Sequence, residues 1–400
     1  MTLSFEEAVH FLFPRTSGGK TWSLGPTEQL LARLGNPERH FPCVHIGGTN
    51  GKGSVAAMVA EALRAAGFRV GLYTSPHLVD VRERMLVDGR PIPPAAFAQW
   101  TECLRSEIEA SNASFFEATT AIALADCAAR GAEIVVAEVG LGGRLDATNV
   151  LQPLVSAVTT VAMDHADFLG DSLEQVAFEK AGIAKPGVPF VAGEADPAVA
   201  ALLQNAARDR GAEVIAVPPE ARYAGALAAA GPHQRRNALV ARYVLRALPD
   251  AWRPAEAALR VGVGRARLPG RLDRRGKWLF DVAHNPAGMA TLVQALREWA
   301  LPSPVHALVG VLGDKDWSAM VRALETAVQA TWATVPPSAP SERRWDLAAV
   351  AERFPQVTVE ADFDVALRNV QQGARTVVVA GSFHTVGDAL TRLPGFAPLR

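Results

Sequence analysis

Residues 47–54 read GGTNGKGS: four glycines and a lysine, with three hydroxyl or amide side chains among them. Glycines let a backbone approach an anion closely and the lysine adds a full positive charge, so the chemistry this stretch suits is phosphate binding. The strict G-x-x-x-x-G-K-S/T spacing is not met. Ile46 stands where the first glycine belongs, Gly53 where the hydroxyl residue belongs, and the hydroxyl slips to Ser54. A tight turn with an exposed lysine is the competing reading. Phosphoryl chemistry also needs magnesium, which takes hard oxygen ligands. Three candidates close apolar runs: Ser75 after FRVGLYT, Glu138 in EIVVAEV and His165 just past LVSAVTTVAMD. Glu138 is the most persuasive, because a carboxylate in IVVAEVG would otherwise be an uncompensated buried charge. His165 is the oddest, since imidazole is a soft choice for magnesium and a hydrogen-bonded loop histidine is the plainer reading. Ser75, ahead of Pro76, also reads as a turn opener.

Periodicity supplies the elements that must position these residues. After Gly53, the apolar residues Val55, Met58, Val59, Ala62 and Leu63 fall on one helical face, and Gly67 is the expected stop. CVHI before the glycines reads as a strand, so the loop is a strand-to-helix turn facing the positive end of a helix dipole. Further strands are expected at FRVGLYTS, EIVVAEVG, LVSAVTTV, VPFVAG and EVIAV, with helices such as AAFAQWTECLRSEIEA and ATTAIALADCAARG between them. Near-continuous apolar strands separated by helices imply a parallel sheet covered on both faces. Region 218–270 differs: it is rich in Pro and Arg, holds one expected helix (NALVARYVLRAL) and ends in a linker, GRARLPGR. Beyond it the alternation restarts with WLFDVA, VHALVGVLG, TWATVP, VTVEA and TVVVAGS. The expected fold class is α/β. A phosphate-loop domain with a mostly parallel sheet spans 1–265, and a smaller Rossmann-like α/β domain spans 266–400.

Composition narrows the partners. Forty basic against 41 acidic residues in 400 leave a net charge of −1, which gives no electrostatic case for nucleic acid or an anionic membrane. The start, MTLSFEEAVHFLF, lacks the basic region of a secretion signal. No run approaches the roughly 18 apolar residues of a membrane span. Cys43, Cys103 and Cys127 are scattered, with no spacing for a disulfide framework or a metal. A soluble, reduced, cytoplasmic monomer working on small molecules is the expectation.

The departures in the glycine loop are informative, because GTNGKGS does not stand alone. TSPHL (74–78), RERM (82–85), EVGLGGRLDATN (138–149), DH (164–165), EKAGIAK (179–185), HQRRN (233–237), LPGRLD (268–273), DVAHNP (281–286), GDKD (313–316) and GSFHTV (381–386) follow it in order. Together these resemble the motifs of the folylpolyglutamate synthase/dihydrofolate synthase family, of the bifunctional bacterial type, in the Mur-ligase superfamily. The resemblance implies ATP-dependent addition of L-glutamate to dihydropteroate or a reduced folate. A substrate carboxylate takes the γ-phosphoryl group as an acyl phosphate, and the glutamate amine then displaces phosphate.

The resemblance also implies roles. Gly48, Thr49, Asn50, Gly51, Lys52, Gly53 and Ser54 would cradle ATP, and Ser75, Glu138 and His165 would hold magnesium. Lys180 would be carbamylated and help hold a second magnesium ion, for which burial must first lower its amine from about 10.4. A surface lysine on the helix SLEQVAFEKAG is the alternative. Arg271 would reach the ATP phosphates, with Asp281 and His284 on the nucleotide and Asn237 near the base. Lys52, Lys180, Arg271 and His284 form the expected catalytic set. Asp314, Lys315, Ser382 and His384 would receive glutamate. On the folate side stand His77, Phe116 (in FFEATTA, placed ahead of a helix), Asp146 and Asn149, the last two readable equally as turn residues. A single-activity folylpolyglutamate synthase, another Mur-type ligase, a simple phosphate-loop kinase and an ATP sensor are the rival readings.

Overall fold

The computed structural model describes residues 3–15, 23–164, 166–228 and 231–396, so His165 lies outside the described residues. The chain divides into two compact units. The first comprises Met1–His77, Val81–Ala228 and Gln234–Arg267; the second comprises Leu78–Asp80, Ala229–His233 and Leu268–Arg400.

The sheet of the first unit is built from β1 (Cys43–Gly47), β2 (Val70–Tyr73), β3 (Met85–Val87), β4 (Arg90–Pro91), β5 (Ile134–Glu138), β6 (Val155–Val158), β7 (Pro189–Ala192) and β8 (Glu213–Ala216). Their order is β4-β3-β2-β5-β1-β6-β7-β8. Pairing is parallel from β2 across to β8, and β3 and β4 run antiparallel at one edge. β1 and β5 are buried at every position, as central strands between two layers of helices must be. Register decides where the chemistry goes: Ile46 pairs with Glu138 and Gly47 with Val158. The turn leaving β1 therefore opens beside the carboxyl ends of β5 and β6. One core gathers Phe97, Ile122, Leu124 and Val135; another gathers Val158, Val176, Ile183, Phe190 and Leu203.

The second unit has β9 (Asp273–Arg275), β10 (Trp278–Asp281), β11 (Val305–Val309), β12 (Ala330–Ala333), β13 (Thr358–Val359) and β14 (Thr376–Ala380) in the order β13-β12-β11-β14-β10-β9. All neighbours are parallel except β9 against β10. Leu279, Val309 and Val378 enter one core, whereas the adjacent Phe280, Leu308 and Val379 enter another. Since alternate strand residues face opposite ways, this sheet is covered on both sides.

Every strand expected from the sequence is present, and β3, β4 and β9 are additions. Two expectations need correction. Region 218–270 holds a second helix, Glu256–Arg265, which its two glycines and flanking Pro254 disguise. That helix packs so closely on Lys52–Ala65 that a Cβ on Gly262 would lie 2.3 Å from Ala62 Cα. FFEATTA does not precede a helix: Phe115 begins one, Phe115–Ala129, because Ser114 and Glu117 form a reciprocal capping box. No helix of the described residues is long and apolar enough to cross a membrane.

Candidate active site

In the first unit, β1 passes into helix Lys52–Ala65 through a loop that only glycine can build at two points. Gly48 has φ +140, and a Cβ there would fall 2.0 Å from Thr159 Oγ1; Gly51 has φ +87, and a Cβ there would fall 2.5 Å from Asn237 Oδ1. Thr159 and Thr160, just past β6, hold the loop in shape. Thr159 Oγ1 donates to the Asn50 carbonyl at 2.6 Å, Asn50 N–H donates to Thr160 Oγ1 at 3.0 Å, and Thr49 N–H reaches the Thr160 carbonyl at 2.8 Å. The Thr49 hydroxyl bonds both the carbonyl and the N–H of Ala162. Lys52 Nζ curls over the loop, donating to the Gly48 and Thr49 carbonyls at 3.0 and 3.1 Å. Ser54 Oγ accepts from Gln234 Nε2, and Gln234 Oε1 accepts from Asn237 Nδ2. Asn237 thus sits against the phosphate loop. Gly53 is buried in the first helical turn.

The structure brings two of the metal candidates together: Ser75 N–H donates to Glu138 Oε2 at 3.0 Å. Glu138 is only 3% exposed, with the buried Arg84 within electrostatic reach. Among the described residues, no three His, Cys, Asp or Glu side chains form a metal cluster. Lys180, in the last turn of helix Leu173–Ala181, is also 3% exposed, which rules out the surface-lysine alternative. Burial, reinforced by the Lys52 charge, pulls its amine down to about 7, with Asp164 and Asp146 opposing.

The folate-side candidates separate into two kinds. His77 Nδ1 accepts from Arg84 Nε at 2.8 Å, and Phe13 meets the His77 ring edge-on. Phe13 also packs on Phe115, and Arg84 lies over the Phe115 ring. Phe116 packs on Tyr73 and needs the backbone of Gly140 beneath it, where a Cβ would be 2.3 Å from Phe116 Cζ. Asp146 and Asn149 instead serve their own turn. Asp146 accepts from Leu141 N–H and Thr148 N–H, and burial raises its carboxyl. Asn149 Nδ2 donates to the Arg144 and Gly182 carbonyls. The turn also reaches β1, where the buried His45 shares a 2.7 Å bond with Thr148 Oγ1. Burial and then the Lys185 charge hold His45 down at about 3.

In the second unit the candidates stand at the carboxyl ends of the strands, where open α/β sheets place ligands. Asp281 closes β10 and accepts from Leu272 N–H and Ala283 N–H; burial raises its carboxyl against the pull of Arg271. Arg271 stacks over the Phe383 ring, and His284 packs on the same ring. Past β11, Asp314 takes a two-toothed ion pair from Arg343, next to Lys315. Past β14, Ser382 is 2% exposed and caps helix Phe383–Arg392 by accepting from Thr385 N–H. Its hydroxyl is used structurally, so it orients this end of the helix. His384 is half-buried and bonds Ser338.

Two family models cover most of this chain: the Mur ligase middle domain over residues 46–229 and the Mur ligase, glutamate ligase domain over residues 265–383. The dihydrofolate synthase/folylpolyglutamate synthase of Escherichia coli K12 is 33% identical over 97% of this chain and 94% of its own length. The chain belongs to the folylpolyglutamate synthase/dihydrofolate synthase family. A probable bifunctional folylpolyglutamate synthase/dihydropteroate synthase of Halobacterium salinarum is 34% identical over 98% of this chain, which spans about half of that protein (52%). Among solved structures, E. coli FolC in complex with DHPP and ADP aligns with a TM-score of 0.87 and 30% identity over 98% of this chain and 97% of its own. A bifunctional folylpolyglutamate synthase/dihydrofolate synthase with Mn, AMPPNP and L-glutamate bound aligns with a TM-score of 0.86 and 31% identity over 98% of each chain.

Sequence reading within the family motifs overlooked several residues. Thr159 and Thr160 had a signal, the paired threonines of LVSAVTTV. Gln234 lay inside HQRRN. Ser338, Arg343 and Asp388 had none, since each reaches its partner across the sheet end from a distant part of the chain.

Proposed function

We propose that this chain is an ATP-dependent amide ligase that joins L-glutamate to dihydropteroate and to reduced folate polyglutamates, releasing ADP and phosphate. The observation that carries the reading is the braced glycine loop at the end of β1, with Lys52, Glu138 and Lys180 gathered beside it in the first unit. Relatives of this fold hold ADP or AMPPNP, manganese, DHPP and L-glutamate, and the same ligands suit the residues here.

The loop N–H groups and the helix N-terminus receive the triphosphate, and Lys52 swings from the Gly48 and Thr49 carbonyls onto it. Ser75 and Glu138 are hard oxygen donors at adjoining strand ends, which fits magnesium. When bound there, a divalent ion withdraws charge from the triphosphate oxygens. Lys180, with its amine near 7, carries a reactive neutral fraction at physiological pH. Carbamylation converts that fraction into an anion with oxygen donors for a second ion. Arg271 and His284 are assigned to the nucleotide, and Lys315 with Arg343 to the glutamate carboxylates. The folate pocket is assigned to His77, Phe116 and Phe13, whereas Asp146 and Asn149 shape the turn beneath it. Phosphoryl transfer of this kind works by positioning and charge stabilisation, so no strong general base is required to start it. We read the protein as a cytoplasmic monomer with both ligase activities; light scattering at a mass other than 42.4 kDa would contradict the monomer.

A coupled ADP-release assay tests the reading. ADP release must require both a folate acceptor and L-glutamate, with dihydropteroate and tetrahydrofolate each active. Release that ignores both substrates overturns the ligase, and activity with tetrahydrofolate alone reduces it to single activity.

A further inference from the structure

In the second unit, the segments that follow β12 and β14 meet at one imidazole. Ser338, in the segment after β12, sends both its backbone N–H and its hydroxyl to the same oxygen, Asp388 Oδ2, at 3.0 and 3.1 Å. Asp388 lies on helix Phe383–Arg392 with its other oxygen 3.7 Å from Arg392. Ser338 Oγ also lies 3.0 Å from His384 Nδ1. A hydroxyl has one proton, and here it is given to the carboxylate. The serine oxygen must then accept in its bond with the ring, which puts the ring proton on Nδ1 and the lone pair on Nε2. Among the described residues, no hydrogen bond reaches Nε2.

We propose that Ser338 and Asp388 lock His384 in its Nδ1–H form, so that Nε2 accepts an N–H from the amino group of the incoming amino acid. The proposal rests on the ligase reading above and assigns one contact within it. His384 touches the substrate; Ser338 and Asp388 are positioning residues. A neutral ring is required, because an imidazolium has no lone pair and repels an ammonium. Burial and the Arg343 charge favour the neutral ring, against Asp388, and Arg343 is itself paired with Asp314. Lys315 and Arg343, also at this sheet end, carry the sign that the carboxylates of the same amino acid need. The ring thereby sorts the two ends of the substrate: cations for its acids, an acceptor for its amine.

Nitrogen-15 NMR of histidine-labelled full-length protein at neutral pH reads the tautomer directly, with the His384 signal assigned by its loss in His384→Gln. A protonated Nδ1 and a bare Nε2 are expected. Ser338→Ala should let the ring sample both tautomers and raise KM for glutamate about tenfold, the scale of one lost hydrogen bond. KM for ATP should not change, and Ser338→Thr should restore both readouts. An Nε2–H ring in the unaltered protein, or an unchanged glutamate KM in Ser338→Ala, overturns the relay. Turnover that never depends on glutamate would overturn the ligase reading instead, and the two failures are distinct.

Discussion

Lys180 sits 3% exposed in the last turn of its helix, with an amine that burial and Lys52 together pull from 10.5 to about 7. A lowered folded pKa means that between about 7 and 10.5 the unfolded chain holds a proton the folded chain does not, so stability rises with pH across that window. Below it both states are charged, and the cost of burying the charge is felt in full. In carbon-dioxide-free buffer, chemical denaturation should therefore show the unaltered protein gaining stability from pH 7 towards 9, and Lys180→Met should flatten the gain; an equal slope in both would contradict the assignment. With labelled bicarbonate the unaltered protein should retain label at Lys180, and active protein without label would remove the carbamate. The type and position of this lysine were legible in EKAGIAK, but its burial was not. A lysine on an amphipathic helix looks alike from sequence whether it points outward or under a neighbouring turn.

At the scale of elements, most of the fold was legible because central parallel strands are long apolar runs and the helices between them carry the 3.6-residue period. What escaped was short or was set by packing. β4 spans only Arg90–Pro91 and β9 only Asp273–Arg275, too brief for any period to show. Helix Glu256–Arg265 carries Gly262 and Gly264, which lower helix propensity; tertiary contact overrides that preference, since the bare Cα of Gly262 is what lets it cross Lys52–Ala65. A larger side chain must push apart the helix that begins at the phosphate loop. Gly262→Leu should lower the unfolding free energy by about 1–3 kcal/mol, the usual cost of overpacking, and raise KM for ATP. Urea denaturation and steady-state kinetics measure both effects, and a fully stable variant with normal ATP binding would show the crossing to be incidental. The loop itself was half legible: its glycines announced an anion, while Thr159 and Thr160, which give it shape, come from the segment after β6, and Gln234, which bonds Ser54, comes from a distant helix.

For the molecule as a whole, each of the two α/β units carries candidate residues of its own, most of them near the carboxyl ends of its parallel strands. The first holds the glycine loop, hard oxygen donors and a buried lysine; the second holds Lys315, Arg343 and His384, which the proposals above give to the amino acid. Family motifs in the sequence pointed to both sets; in the structure Ser382, Asp146 and Asn149 hold backbone, while Arg343 and Ser338, which no motif singled out, bond Asp314 and Asp388. The account requires ATP to activate a carboxylate by transferring its terminal phosphoryl group, so one carboxylate oxygen must leave with the phosphate. Turnover of ATP and L-glutamate with tetrahydrofolate carrying oxygen-18 in its glutamyl carboxylates, followed by mass analysis of the released phosphate, tests this directly. The account predicts one labelled oxygen in each phosphate formed; phosphate released during ligation without label would contradict it.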